Sequence, residues 1–174
     1  MHDGAPSSNT YGTDLKPEFM DIGYDLFLDK DSLKTTFISA DIFDESDASG
    51  LKAVEGKIDI IHTAFFFHLF DLAGQTQAVR RVVKLFKDEA GCLLVGRQLG
   101  TLESGEIGTG RFRHNAASFK SMWEEVGKET GTEWRIDTWL ADQDLFERAQ
   151  KQGTEARFLP PGSRVLNFTV ERVK

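Results

Sequence analysis

Cysteine occurs once in the 174 residues, at Cys92, so no internal disulfide can form and a reducing, intracellular setting is expected. In the run Gly91-Cys92-Leu93-Leu94-Val95 that thiol reads as a buried structural group rather than a nucleophile. No apolar run approaches the roughly 18 residues of a membrane-spanning helix. The polar start, Met1 to Thr10, carries neither a signal core nor transit-peptide character, so the cytosol is the expected location. Basic residues are the minority, 21 Lys and Arg against 28 Asp and Glu, for a net charge of −7. Nucleic acid needs a basic face, and so does an anionic membrane surface, which leaves a small uncharged or cationic ligand as the easier partner. The four histidines share no ligand spacing with Cys92 or with one another, so no metal site is expected. A Ser-His-Asp elbow and a phosphate loop are also missing.

What is present suits one domain, residues 1–174, with a packed core: 40% of residues are hydrophobic and 28% charged. Phenylalanine is heavily used, with 14 Phe against three Trp and two Tyr, which serves either a core or an apolar cavity. Short apolar runs alternate with amphipathic stretches, the pattern of an α/β domain. Strands are expected at 11–15, 35–43, 57–64, 91–96, 133–140 and 163–173. Pro17 opens a helix whose Phe19, Ile22, Leu26 and Phe27 recur at helical spacing and should face a sheet. The Ile-rich run at 57–64 suits a strand covered on both faces. A helix is expected at 75–86, and Gly-rich 101–112 reads as a long loop. Asn115 caps the next helix, Gly131 ends it, and Phe119, Met122, Trp123 and Val126 line its buried face. A short helix at 142–152 and the Pro160-Pro161-Gly162 turn lead into the last strand.

Two strands end on acids. Tyr11-Gly12-Thr13-Asp14-Leu15 ends at Asp14, and Ala40-Asp41-Ile42 closes the next strand. A carboxylate at the first position suits ribose hydroxyls, as in dinucleotide sites. An acid at the second can accept from an adenine amine while Ile42 covers the ring. A turn or helix cap is the competing explanation for each acid. Asp59-Ile60-Ile61-His62-Thr63-Ala64 is a third strand whose end falls in the same series.

These features together resemble the class I methyltransferase fold. More narrowly, Gly12-Thr13-Asp14-Leu15-Lys16-Pro17-Glu18-Phe19, Gly23-Tyr24-Asp25-Leu26-Phe27, Phe66-Phe67-His68-Leu69-Phe70-Asp71, Val95-Gly96-Arg97-Gln98 and Arg111-Phe112-Arg113-His114-Asn115 resemble fungal natural-product methyltransferases, meroterpenoid-pathway enzymes among them. The resemblance runs from His2 onward. It implies a Rossmann-like sheet with an antiparallel last strand and S-adenosyl-L-methionine as cofactor. It implies methyl transfer to an oxygen or carboxylate of a small polyketide- or terpenoid-derived acceptor. Asp14 and Leu15 would lie at the ribose, Asp41 and Ile42 at the adenine, and His62 and Thr63 beside the methionine end or adenine edge. The family's first strand, first helix and glycine-rich loop have no counterpart upstream of Tyr11, and residues 2–7 resemble the end of that first helix. A truncated domain with unpaired sheet edges is therefore expected, with homodimer formation as one way to cover them.

Methyl transfer requires alignment and exclusion of water, and some acceptors also need a base. His68 and His114 are the candidate acid–base residues. Arg97, Gln98, Arg113 and Trp123 are the candidate acceptor contacts. A histidine in a Phe-rich run is often a satisfied core residue, and Arg111 to His114 also reads as a solvated basic turn or part of a lid. Two other functions suit the same sequence: a non-catalytic binding or scaffold protein that dimerises, and a cofactor-independent cyclase or isomerase in the same fold.

Overall fold

The computed structural model describes residues 6–108, 110–153 and 159–174. Residues 2–5, most of the segment that resembles the end of the family's first helix, lie outside them. Two compact units divide the chain, Met1–Glu55 and Gly56–Lys174.

In the first unit, strand β1 (Tyr11–Asp14) lies parallel to β2 (Thr36–Ser39), with Asp14 opposite Ser39. Helix α1 (Glu18–Phe27) connects them and starts directly after Pro17, as a proline in the first turn allows. The Phe37 ring lies where a Cβ on Gly12 would sit, so glycine is required for the two strands to pair as they do. The expected strand at 35–43 is shorter than its sequence suggests. It stops at Ser39 because β1 offers only four partners, and the chain then turns at Asp41. The apolar stripe of α1 does not face a covering sheet within this unit: Phe19, Ile22, Leu26 and Phe27 are all exposed, Phe27 by 71%. A sheet of two strands about 5 Å apart is too narrow to cover a helix about 10 Å across. Tyr24 makes a ring contact with the sheet, edge-on to Phe37 at 5.4 Å. A 3-10 turn, Gly50–Val54, buries Leu51 and Val54.

The second unit holds a four-stranded sheet in the order β3-β4-β8-β7. Its strands are β3 (Ile60–Ala64), β4 (Leu93–Thr101), β7 (Trp134–Leu140) and β8 (Ser163–Arg172). β3 and β4 are parallel, and β8 runs antiparallel to both β4 and β7, so the expected antiparallel last strand is observed. β3 is an edge strand. The expectation that it is covered on both faces fails: Ile60, His62 and Ala64, which share one face of the strand, are all exposed, Ile60 by 64%. Helix α2 (Leu72–Leu85) begins earlier than the apolar periodicity predicts, because Asp71 caps it by accepting from the Gly74 N–H at 2.7 Å. β4 also outruns its expected length. The segment expected as a loop contains a short hairpin, β5 (Gly105–Glu106) with β6 (Phe112–Arg113).

Helix α3 (Ala116–Thr130) starts at an Asn115–Ser118 capping box and ends at Gly131, whose φ of 71° is the left-handed value that favours glycine. Helix α4 (Leu145–Lys151) is capped by Asp144. The core closes on Phe119, stacked on Phe168 at 4.6 Å, with Phe67 edge-on to Phe119 and tilted against Phe168. Cys92 is buried, as expected, and burial pushes its thiol pKa up, which removes it as a nucleophile.

Candidate functional site

In the first unit Asp14 is the last residue of β1 and Asp41 lies two residues past the end of the parallel strand β2. One oxygen of Asp14 accepts from the Lys16 N–H at 2.8 Å, and one of Asp41 accepts from the Phe43 N–H at 2.9 Å. Both are the turn contacts the sequence offered as the competing explanation, and they hold each carboxylate in place on an exposed surface. Such fixed, exposed carboxylates fit the hydroxyl and amine donors of a nucleoside, so the acids that are present suit an adenosine-bearing cofactor. Leu15 is 59% exposed and Ile42 partly exposed, each one residue beyond its acid. Beside Asp14 an apolar groove of about 530 Å³ runs between α1 and the sheet, lined by Phe19, Met20, Tyr24, Phe27 and Phe37.

In the second unit the chemistry gathers at the C-terminal ends of β3 and β4. His62 is exposed on β3. Thr63 is partly buried, and its hydroxyl lacks a hydrogen-bond partner. The next turn is strained: Phe65 has a φ of 55°, rare for a bulky residue, while its N–H donates to the Arg97 carbonyl at 2.7 Å. The Arg97 guanidinium lies 5.5 Å from the Phe65 ring centre, a cation–π contact.

Beyond this turn the chain buries polar groups. Gln98 is fully buried, and neither its Oε1 nor its Nε2 has a hydrogen-bond partner among the described residues. It lies between Gly96 and Gly100 on one face of β4. A Cβ at Gly96 would collide with Phe168, and one at Gly100 would meet the His114 carbonyl. That face therefore looks into the Phe119–Phe168 aromatic core. His68, in the 3-10 turn Phe67–Leu69, is 6% exposed with Nδ1 unpartnered. Its carbonyl accepts from Arg113. Burial, then the positive charges of Arg113 and Arg111, lower the His68 pKa to about 4. Arg113 is 3% exposed, and no carboxylate forms an ion pair with it among the described residues. His114, 1% exposed, has its pKa lowered to about 4 by burial, so both rings are neutral at pH 7. Its Nδ1 lies 2.9 Å from the Ser118 hydroxyl, and its Nε2 has no partner among the described residues.

The structure thus places His68, Gln98, Arg113 and His114 on packed neighbouring elements, and it replaces the solvated-turn reading of Arg113 and His114 with near-complete burial. Trp123 belongs to a different aromatic group, edge-on to Trp134 at 5.3 Å. Sequence reasoning missed Ser118, although Asn115-x-x-Ser118 carries the capping-box spacing that reveals it. No group of His, Cys, Asp and Glu able to hold a metal occurs among the described residues, and no described helix is long and apolar enough to cross a membrane.

Comparison with known proteins agrees with the resemblance read from the sequence. The O-methyltransferase phiE of a fungal species (strain ATCC 74256) is 47% identical over 82% of this chain and 49% of its own length. The O-methyltransferase atr3 of Stereocaulon alpinum is 39% identical over 99% of this chain and 49% of its own. The methyltransferase adrK of Penicillium roqueforti is 37% identical over 88% and 56%. The chain therefore spans about half the length of the curated relatives it matches. No protein-family model matches it. Among solved structures, the trans-methyltransferase CalH in complex with SAH superposes with a TM-score of 0.59 at 14% identity, covering 94% of this chain and 42% of that one. The [4+2]-cyclase SpnF superposes equally well, 0.59 at 14% identity, over 92% and 64%. The fold is thus the mixed α/β, Rossmann-like fold of methyltransferases, and at these identities the structural likeness speaks for the fold alone.

Proposed function

We propose, from a sequence shared along 82% or more of its length with fungal methyltransferases, that this chain is part of a single S-adenosyl-L-methionine-dependent methyltransferase domain. Its acceptor is a small molecule of secondary metabolism, polyketide- or terpenoid-like, methylated on an oxygen or carboxylate. The single observation that carries this reading is the 47% identity to an O-methyltransferase. S-adenosyl-L-methionine, when bound, supplies an electrophilic methyl group on a sulfonium, and the C–S electron pair stays on sulfur.

In the first unit, Asp14 and Leu15 would hold the ribose of the cofactor, and Asp41 and Ile42 its adenine, the two carboxylates offering acceptors to the hydroxyl and amine donors. In the second unit, His62 and Thr63 are the cofactor-binding candidates. His68 and His114 are the proton acceptors, and both fit that role in being neutral with an unpartnered ring nitrogen. Arg97, Gln98 and Arg113 hold the acceptor. Trp123, packed on Trp134, supports the core instead. The exposed apolar face of α1 and the free edge of β3 support self-association, a homodimer being the simplest closed form.

The test is calorimetry with S-adenosyl-L-methionine on the 174-residue chain and on a form extended upstream in its reading frame, followed by D14N and D41N in whichever binds. Binding that each substitution weakens tenfold or more supports the reading. No binding by either form sinks it, and the scaffold and cyclase alternatives then move ahead.

A further inference from the structure

The buried ring of His114 can carry its one proton on either nitrogen, and the hydrogen bonds around it decide which. Ser118 Oγ has three neighbours: the Asn115 N–H, which donates to it at 3.1 Å; the Asn115 carbonyl at 3.3 Å; and His114 Nδ1 at 2.9 Å. One hydroxyl proton must serve one of the last two. If it went to Nδ1, the ring proton would sit on Nε2, which is buried and has no acceptor. If it goes to the Asn115 carbonyl, Nδ1–H donates to Oγ and every proton in the group has an acceptor. Only a lone pair on Nε2 is then left over. A buried N–H without an acceptor is rarer and costlier than an under-used acceptor, so the second arrangement wins. Phe112 and Phe119, with ring centres 4.8 and 5.8 Å from that of His114, offer no competing hydrogen-bond partner.

We infer that Ser118 is a positioning residue: its hydroxyl, held by the backbone N–H and carbonyl of Asn115, fixes His114 as the Nδ1–H tautomer and leaves the Nε2 lone pair as an acceptor for a substrate hydroxyl. The second half of this statement rests on the methyl-transfer reading; the first half does not. A residue that merely caps α3 would have no effect on the ring's proton.

The experiment is nitrogen-15 NMR of the histidine rings in the 174-residue chain, with His114→Asn identifying the His114 signals by their loss. In the wild type Nδ1 is expected to be protonated and Nε2 bare. S118A should shift the population toward Nε2–H, and S118T, which keeps the hydroxyl, should restore the wild-type pattern. N115A removes the side chain that caps Ser118 N–H but leaves the hydroxyl and the backbone of residue 115, so its tautomer should stay as in the wild type. A wild-type ring that is protonated on Nε2, or averaged between the two forms, overturns the inference, as does an S118A ring that is unchanged. A shift in N115A makes the cap, not the hydroxyl, responsible and also overturns it. None of these readouts needs cofactor or turnover, so the methyl-transfer reading stands or falls separately.

Discussion

Replacing Gln98 by Leu should stabilise the second unit while harming any acceptor-dependent activity. Gln98 is fully buried, sits opposite Leu166 on β8, and leaves both amide atoms without partners. Each orphaned polar group costs about 1–3 kcal/mol relative to a satisfied or apolar one. Leucine has a similar volume, so a volume-conserving swap adds little strain, typically below ~1.5 kcal/mol. The net expectation is a gain of about 2 kcal/mol, which at an m-value of about 2 kcal/mol/M raises the urea midpoint by roughly 1 M. All three tryptophans, Trp123, Trp134 and Trp139, lie in the second unit, so their fluorescence follows its unfolding directly. A midpoint that falls by half a molar or more would refute the reasoning. It would mean that ordered water or another group satisfies the amide in solution. A gain in stability with activity intact would separate Gln98 from the acceptor site while keeping the energetic argument.

Acid should weaken the second unit through its two buried histidines. Their pKa values are lowered from 6.5 to about 4 in the folded state, so between those values the unfolded chain binds more protons. Their stabilising effect is complete above about pH 6.5 and is lost as pH falls toward 4, by up to about 3 kcal/mol per ring. H114Q should flatten the urea midpoint between pH 7 and pH 4.5, and an unchanged slope would contradict the assignment. R113M should raise the His68 pKa above about 4, because it removes a positive charge that helps lower it; an NMR titration showing no rise would count against that contact. Gly96→Ala should destabilise by about 2–4 kcal/mol, since the added methyl group meets the Thr63 carbonyl and the Phe168 ring together; a loss below 1 kcal/mol in chemical denaturation would show that the strands yield easily.

Much of the second unit was legible because its signals are local. Asn115 and Gly131 bracket α3, and the Pro160-Pro161-Gly162 turn announces the strand that follows. The hairpin β5–β6 was not legible, because strands of two residues beside glycines carry no alternation. β4 looked shorter than it is because Gly96 and Gly100 interrupt its apolar run. They are glycines for the very reason that Phe168 and the His114 carbonyl approach there. The exposure of Ile60 was invisible for a different reason: an Ile-rich strand reads the same whether or not a neighbour lies beside it. Of the candidate site, the place of Asp14 and Asp41 at or just past strand ends was legible. The burial of Arg113 and His114 was not, because Arg111-Phe112-Arg113-His114-Asn115 looks solvated until β6 packs against β4 and the Phe67–Leu69 turn. Ser118 lay in plain sight as a cap, yet its second task depends on a histidine four residues earlier that helical periodicity does not flag.

The position of β8 dictates an order of events during synthesis. β4 and β7 share no hydrogen bonds and are joined only through β8, the last of the described strands to leave the ribosome. Until Ser163–Arg172 emerges, β7 has no partner and the Phe119 ring has no Phe168 to stack on. The second unit therefore cannot close its sheet while its own last strand is still in the exit tunnel, and its aromatic core waits in the open for that strand. A nascent chain arrested before residue 163 should recruit chaperones that bind exposed Phe and Trp, whereas one extended far enough to free β8 should let them go.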